Sequence, residues 1–135
     1  MDSKTLADNF IAALHALEEA TDESPVEPLA NLYADDAEII NTALLLGGEK
    51  ITGKEGATEF WTQYKKTIGV GKSHFHHIAA SDKTAGLFWK TTVMNGASEY
   101  DGATLLEFDD AGKIVFFQGY YDTRQLNHAI GLSDK

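Results

Sequence analysis

The stretch TAGLFWKTTVMNGASEYDGATLLEFDDAGKIVFFQGYYD, residues 84–122, decides how the rest of the chain is read. It holds three runs rich in β-branched and aromatic residues, parted by two turn signals. Asn95-Gly96 suits a two-residue hairpin, because both residues tolerate positive φ. Asp109-Asp110-Ala111-Gly112 marks the second turn. Thr84 to Met94, Ser98 to Phe108 and Lys113 to Tyr121 are therefore predicted as successive antiparallel strands. Ser81-Asp82-Lys83 turns the chain once more and places a strand from His74 to Ala80 before them.

Upstream the spacing changes from two to nearly four. Phe60, Trp61, Tyr64 and Ile68 form the apolar side of a helix that follows Gly53 and is closed by Gly69 and Gly71. Before it, Ala37 to Asn41 reads as a strand, and Gly47-Gly48 as a flexible rim without a phosphate-loop pattern. Ser24-Pro25-Val26-Glu27 reads as a capped start to a short helix through Leu29 and Leu32 to Tyr33. Leu6, Phe10, Leu14 and Leu17 stripe the first helix, which Asp22-Glu23-Ser24 ends. Downstream, Asp122 is spaced to cap a final helical turn through Ile130. The predicted fold is α+β: a curved, mostly antiparallel sheet and three N-terminal helices enclosing a cone-shaped pocket.

Composition narrows the function classes. A chain of 135 residues fits one domain, taken as 1–135. A net charge of −10, scattered along the chain, opposes binding to a phosphate backbone and points away from nucleic acid. The longest apolar run, Ala43-Leu44-Leu45-Leu46, is too short to span a bilayer, and the N-terminus has no signal-peptide pattern. No membrane partner is expected, and a cytoplasmic location is. Without cysteine there is no disulfide or thiolate chemistry.

Four elements then occur in a telling order: Tyr33-Ala34-Asp35-Asp36-Ala37, Gly53 before its helix, Asp109-Asp110-Ala111-Gly112-Lys113-Ile114, and Tyr120-Tyr121-Asp122. Together they resemble the SnoaL-like branch of the nuclear transport factor two-like superfamily, over roughly residues 6 to 131. The resemblance implies a cystatin-like, cone-shaped barrel, often a homodimer packed through the outer face of its sheet. Its members include polyketide cyclases, ketosteroid isomerases, epoxide hydrolases, dehydratases and non-catalytic binding domains, so fold does not give function.

Strand alternation then sorts the side chains. The resemblance places Asn41 where isomerases keep a catalytic carboxylate and epoxide hydrolases a water-holding asparagine, with Ile39 on its face. Phe88, Lys90, Thr92 and Met94 are expected inside, as are Tyr100, Thr104, Phe117 and Tyr121. Phe10, Leu14, Trp61 and Tyr64 would close the wall. Trp89, Thr91, Val93, Leu105 and Phe116 are then expected on the outer, dimer-forming face. At positions matching Thr92, Met94, Thr104 and Gly119, the family's enzymes carry charged or acidic groups that this chain lacks.

The catalytic candidates are thus Lys90, whose pKa an apolar pocket would lower into the range of a base or Schiff-base nucleophile, with Asn41 and His76. His74 and His76 are expected to share a face, with His77 on the other. Tyr64, Tyr100 and Tyr121 are candidate hydrogen-bond donors to a ligand carbonyl or hydroxyl, or else core aromatics. Neither metal nor cofactor is implied. The expected function is binding of a small apolar or polycyclic molecule, with cofactor-independent isomerisation, dehydration or hydrolysis as its chemistry. The alternatives are a non-catalytic carrier and a dimeric assembly module with a vestigial cavity.

Overall fold

Helix α1 (Ser3–Glu19) turns Ala7, Phe10, Leu14 and Leu17 into the core, and Asp2 caps it by accepting the Thr5 N–H at 2.8 Å. The computed structural model describes residues 2–93 and 98–131. Helix α2 (Val26–Ala30) starts without a side-chain cap. Ser24 instead gives its N–H and hydroxyl to Asp22, so the expected capping box is diverted into a local turn. Strand β1 (Tyr33–Asn41) begins at Tyr33, earlier than the sequence suggested.

The Gly47-Gly48 rim is preceded by one helical turn, α3 (Thr42–Leu46), and followed by a short strand, β2 (Ile51–Thr52). Helix α4 (Gly53–Ile68) ends at Gly69, whose φ of +72° is the left-handed conformation that a glycine adopts without penalty. Strands β3 (Gly71–Ser81), β4 (Thr84–Val93), β5 (Ser98–Phe108) and β6 (Ile114–Tyr121) follow. Helix α5 (Thr123–Ala129) closes the described chain. Asp122 caps it through the N–H groups of Arg124 and Gln125, at 2.8 and 3.1 Å.

All six strands form one sheet in the order β2-β1-β6-β5-β4-β3, antiparallel except for the β1–β6 pair. Helix α1 packs on β3, α4 on β1, and α2 against α4. The fold is the expected α+β arrangement of helices on a mostly antiparallel sheet. Among the described residues, no helix is long and apolar enough to cross a membrane.

Register corrects two face assignments. Thr91 pairs with Tyr100 and Thr92 with Glu99, so partners on β4 and β5 have opposite parity. The two-residue turn that the sequence predicts at Asn95-Gly96 would demand this, and placing even-numbered residues of both strands inside conflicts with it. Ala85, Leu87, Trp89, Thr91 and Val93 are therefore the buried side of β4. Phe88, Lys90 and Thr92 occupy the outer face, while Met94 and the turn lie outside the described residues. Trp89 can turn inward because its cross-strand partner is Gly102, where a Cβ would lie 2.9 Å from the indole.

The second correction is a β-bulge. Phe75 pairs with Trp89 and His77 with Phe88, leaving His76 as the extra residue. The bulge shifts parity, so His74 and His77 share the outer face with Lys90 and Phe88. All three histidines are exposed.

Candidate functional site

Between α4 and the inner sheet face lies a cavity of about 760 Å³. One wall is aromatic. Trp61 sits edge-on to Phe60, Tyr64 and Phe117, with ring centroids 4.9 to 5.5 Å apart. Its indole N–H donates to the buried Tyr33 hydroxyl at 3.0 Å, so it is spent within the core. Phe10 and Leu14 of α1 extend this wall, as expected.

The opposite wall carries hydroxyls. Ser73, Thr91, Tyr100 and Thr104 face the cavity from β3, β4 and β5. Behind them is Glu18, fully buried near the end of α1. Its carboxylate accepts the Ser73 N–H at 2.8 Å, the Ser73 hydroxyl at 2.5 Å and the Tyr64 hydroxyl at 2.6 Å. Three converging donors are what a buried carboxylate needs to replace its hydration. Ser73 Oγ also lies 2.6 Å from Thr91 Oγ1. Trp89 donates its indole N–H to Thr104 at 2.9 Å.

The phenols here stay protonated. Burial pushes the Tyr64 hydroxyl well above its usual range, and the Glu18 charge pushes further. Burial also raises Tyr100, with Glu18 and Tyr121 adding to the effect and Tyr64 opposing it. Neither can serve as a general base at neutral pH.

The expected site residues divide cleanly. Asn41, Trp61, Tyr64, Tyr100, Thr104, Phe117 and Tyr121 meet at the cavity. Asn41 sits beside Gly119 across the β1–β6 pair, and its Oδ1 caps α3 by accepting the Leu44 N–H at 2.9 Å. Its amide N–H groups remain for a ligand. Ile39 faces inward but is sealed in the core. Lys90 is outside and 3.7 Å from Glu99, and exposed His76 lies on the bulge. Neither the desolvation expected of Lys90 nor a cavity position for His76 is present. Phe88 and Thr92 are outside with them.

Glu18, Ser73 and Thr91 escaped the sequence reading. Glu18 sits four residues beyond Leu14 and eight beyond Phe10, on the stripe that faces the core. That spacing was the available signal, masked by the neighbouring run of acidic residues.

The fold has relatives among solved structures. The chain aligns with an NTF2-like protein of unknown function from Cytophaga hutchinsonii at 16% identity and a TM-score of 0.68, covering 91% of this chain and 92% of that one. A protein with a ketosteroid isomerase-like fold from Catenulispora acidiphila, solved with trimethylamine, aligns at 16% identity and a TM-score of 0.70, covering 96% and 94%. A de novo designed protein with a curved β-sheet aligns at 13% identity and a TM-score of 0.71, covering 90% and 88%. These similarities show a shared fold. No curated protein matches the sequence significantly. The family model described as the SnoaL-like domain matches residues 13–117, most of the chain, and the chain therefore belongs to the SnoaL-like family.

Proposed function

We propose that this SnoaL-like chain, one domain throughout, binds a small, mostly apolar molecule in the cavity between α4 and the sheet. The observation that carries the reading is the cavity itself: about 760 Å³, aromatic on one wall and hydroxyl-lined on the other. That combination of apolar bulk with a few placed polar groups is the usual make-up of a small-molecule site. Trimethylamine in the Catenulispora protein is consistent with a small molecule bound to this fold.

Cofactor-independent isomerisation, dehydration or hydrolysis would require a base facing the ligand. Lys90 and His76 point away, and Asn41 is not a base. Glu18 spends its oxygens on Ser73 and Tyr64, and among the described lining residues the charged ones, Glu59 and Lys66, are exposed on α4. Binding without turnover is the better-supported reading. The test is a screen of small polycyclic and monocyclic compounds by thermal shift, with the hits assayed for conversion. Stabilisation with the hit recovered unchanged is expected; catalytic conversion would overturn the carrier reading.

A second reading concerns the outer sheet face. Phe88, Ala103 and Tyr120 stand in one row across β4, β5 and β6, with Phe88 40% and Tyr120 47% exposed. Leu105 and Phe116 flank the row on the expected side. We take a second copy of the chain as its cover. Sedimentation equilibrium should give a dimer that Phe88→Glu dissociates, and a concentration-independent monomer would refute it.

A further inference from the structure

We infer that the ligand carries a neutral acceptor oxygen, a ketone or ester carbonyl, seated in a notch above Gly119 between the Asn41 amide and the Thr104 hydroxyl. The inference rests on the cavity being a ligand site and adds the chemical class and the place of the ligand's polar end.

The notch comes from register. Asn41 pairs with Gly119 and Gly119 with Thr104, so the three form one row across β1, β6 and β5, and all three line the cavity. The next row, Ile39, Phe117 and Leu106, is apolar and buried. Gly102 is the other inward-facing glycine of β5 and β6. A Cβ there would collide with the Tyr120 carbonyl oxygen and the Trp89 indole, so packing requires a glycine at 102. A Cβ on Gly119 would meet nothing closer than the Asn41 Cβ at 3.5 Å and the Phe117 ring at 3.6 Å, which are ordinary contacts. Gly119 is also not among the glycines with positive φ. Neither backbone nor packing requires a glycine at 119. What its missing side chain provides is open space over the sheet, where a ligand can approach closely.

The two sides of the notch donate. Asn41 Oδ1 accepts the Leu44 N–H, and since a main-chain N–H needs an oxygen there, the cap fixes which end of the amide is the NH2. Thr104 Oγ1 accepts the Trp89 indole N–H at 2.9 Å, and among the described residues no acceptor takes its own proton. Two strand spacings part the Cα atoms of Asn41 and Thr104 by about 10 Å. Their side chains reach inward from both sides, and one oxygen accepting at about 2.9 Å from each bridges the remainder. Elsewhere on the hydroxyl wall protons are spent: Tyr64 and Ser73 give theirs to Glu18, and Ser73 Oγ then accepts from Thr91, 2.6 Å away. Tyr100 and Tyr121 also line the cavity, and their hydroxyls are the rival donors. Neither Asn41 nor Thr104 is charged, and the lining cation, Lys66, is exposed on α4. A carboxylate in the notch would shed its hydration without a counter-charge, which favours a neutral oxygen.

The test uses three probes of one shape: 2-acetylnaphthalene, its alkene isostere 2-isopropenylnaphthalene, and 2-naphthoate. The intact protein is titrated calorimetrically into each at neutral pH. The ketone should bind at least tenfold more tightly than the alkene, and more tightly than naphthoate. A ketone that binds no better than the alkene overturns the inference and leaves the cavity reading standing, as does a naphthoate that binds best. Binding of none of the three overturns both.

Gly119→Ala then probes the notch. Its methyl group fits the fold and fills the space, so the tenfold ketone preference should vanish; an unchanged preference removes the notch from the explanation. Asn41→Asp keeps the cap on α3 and deletes the NH2, and it should also abolish the preference. Thr104→Val should narrow it. That variant leaves the Trp89 N–H without its acceptor, and Gly119→Ala, which meets only ordinary contacts, decides the matter even where Thr104→Val does not fold. Tyr100→Phe and Tyr121→Phe should leave the ketone preference intact. Loss of the preference in either would put the oxygen against that phenol and overturn its placement over Gly119.

Discussion

The two faces of the sheet carry similar residue types and use them in opposite ways. Inside, Thr91, Ser73 and Thr104 are almost wholly buried, and every hydroxyl has a protein partner. Outside, Lys90, His74 and Glu99 are exposed, and Lys90 meets Glu99 only at 3.7 Å. Inside, a polar group without a partner costs its full desolvation; outside, water replaces any partner that is lost. Register, more than residue type, therefore decides where a polar side chain matters. A lysine draws attention in a sequence, yet on β4 the residues of consequence are the tryptophan before it and the threonine after it.

The contrast is most exposed to failure at Trp89. Replacing it by alanine removes an indole packed over Gly102 and deprives Thr104 of its donor. Trp89→Ala should cost about 4 kcal/mol, read from the urea midpoint. A loss below about 1 kcal/mol, the usual scale of a surface change, would mean that this face is not core. Glu18→Ala comes next. It leaves the Ser73 N–H, the Ser73 hydroxyl and the Tyr64 hydroxyl without their acceptor, and should cost about 3 kcal/mol. Near-native stability in that variant would show that water reaches the cluster, and the inner face would then resemble the outer one.

The architecture was legible because its signals are local. Two turn motifs, the Gly53 and Gly69 boundaries and the Phe60–Ile68 stripe each depend on neighbouring residues. Half of the cavity was legible as well: Tyr100 and Thr104 on β5, and Phe117 and Tyr121 on β6, share a face because the register pairs even residues of β5 with odd residues of β6. The β4 face was inverted although Asn95-Gly96 implies the odd pairing, since face assignments on two strands must agree with the length of the turn joining them. The histidines went astray for a different reason: a bulge is one unpaired residue with no reliable local signature. Glu18 was hidden because its role exists only where α1, α4 and β3 converge, through partners 46 and 55 residues away.

Alkaline pH separates the faces more gently. Burial raises Tyr33, Tyr64 and Tyr100 above the ordinary phenol value of 10.0 in the folded chain. Below pH 10 both states are protonated and the contribution of these groups is fully present. Above it the unfolded chain ionises while the native phenols hold their protons, so stability falls as pH rises towards the folded values. Each such group contributes a slope of about 1.4 kcal/mol per pH unit. Tyr100→Phe should reduce the steepness of the stability loss above pH 10 by that amount. An unchanged slope would mean that the Tyr100 hydroxyl ionises as freely in the native protein as in the unfolded one.

The smallest expected effect belongs to the residue that the sequence made most conspicuous. The Lys90 and Glu99 side chains are 51% and 56% exposed, so their attraction is weakened by solvent and by the entropy of holding two mobile chains together. Lys90→Met should change stability by less than about 0.5 kcal/mol, and the affinity for any cavity ligand should stay constant. The second readout matters more than the first. A lysine inside the cavity would touch the ligand, so its replacement would change that ligand's affinity. Lys90 on the outside predicts no change for any compound that the thermal-shift screen finds. A clear change in affinity would place Lys90 beside the ligand and reverse the face assignment of the whole strand.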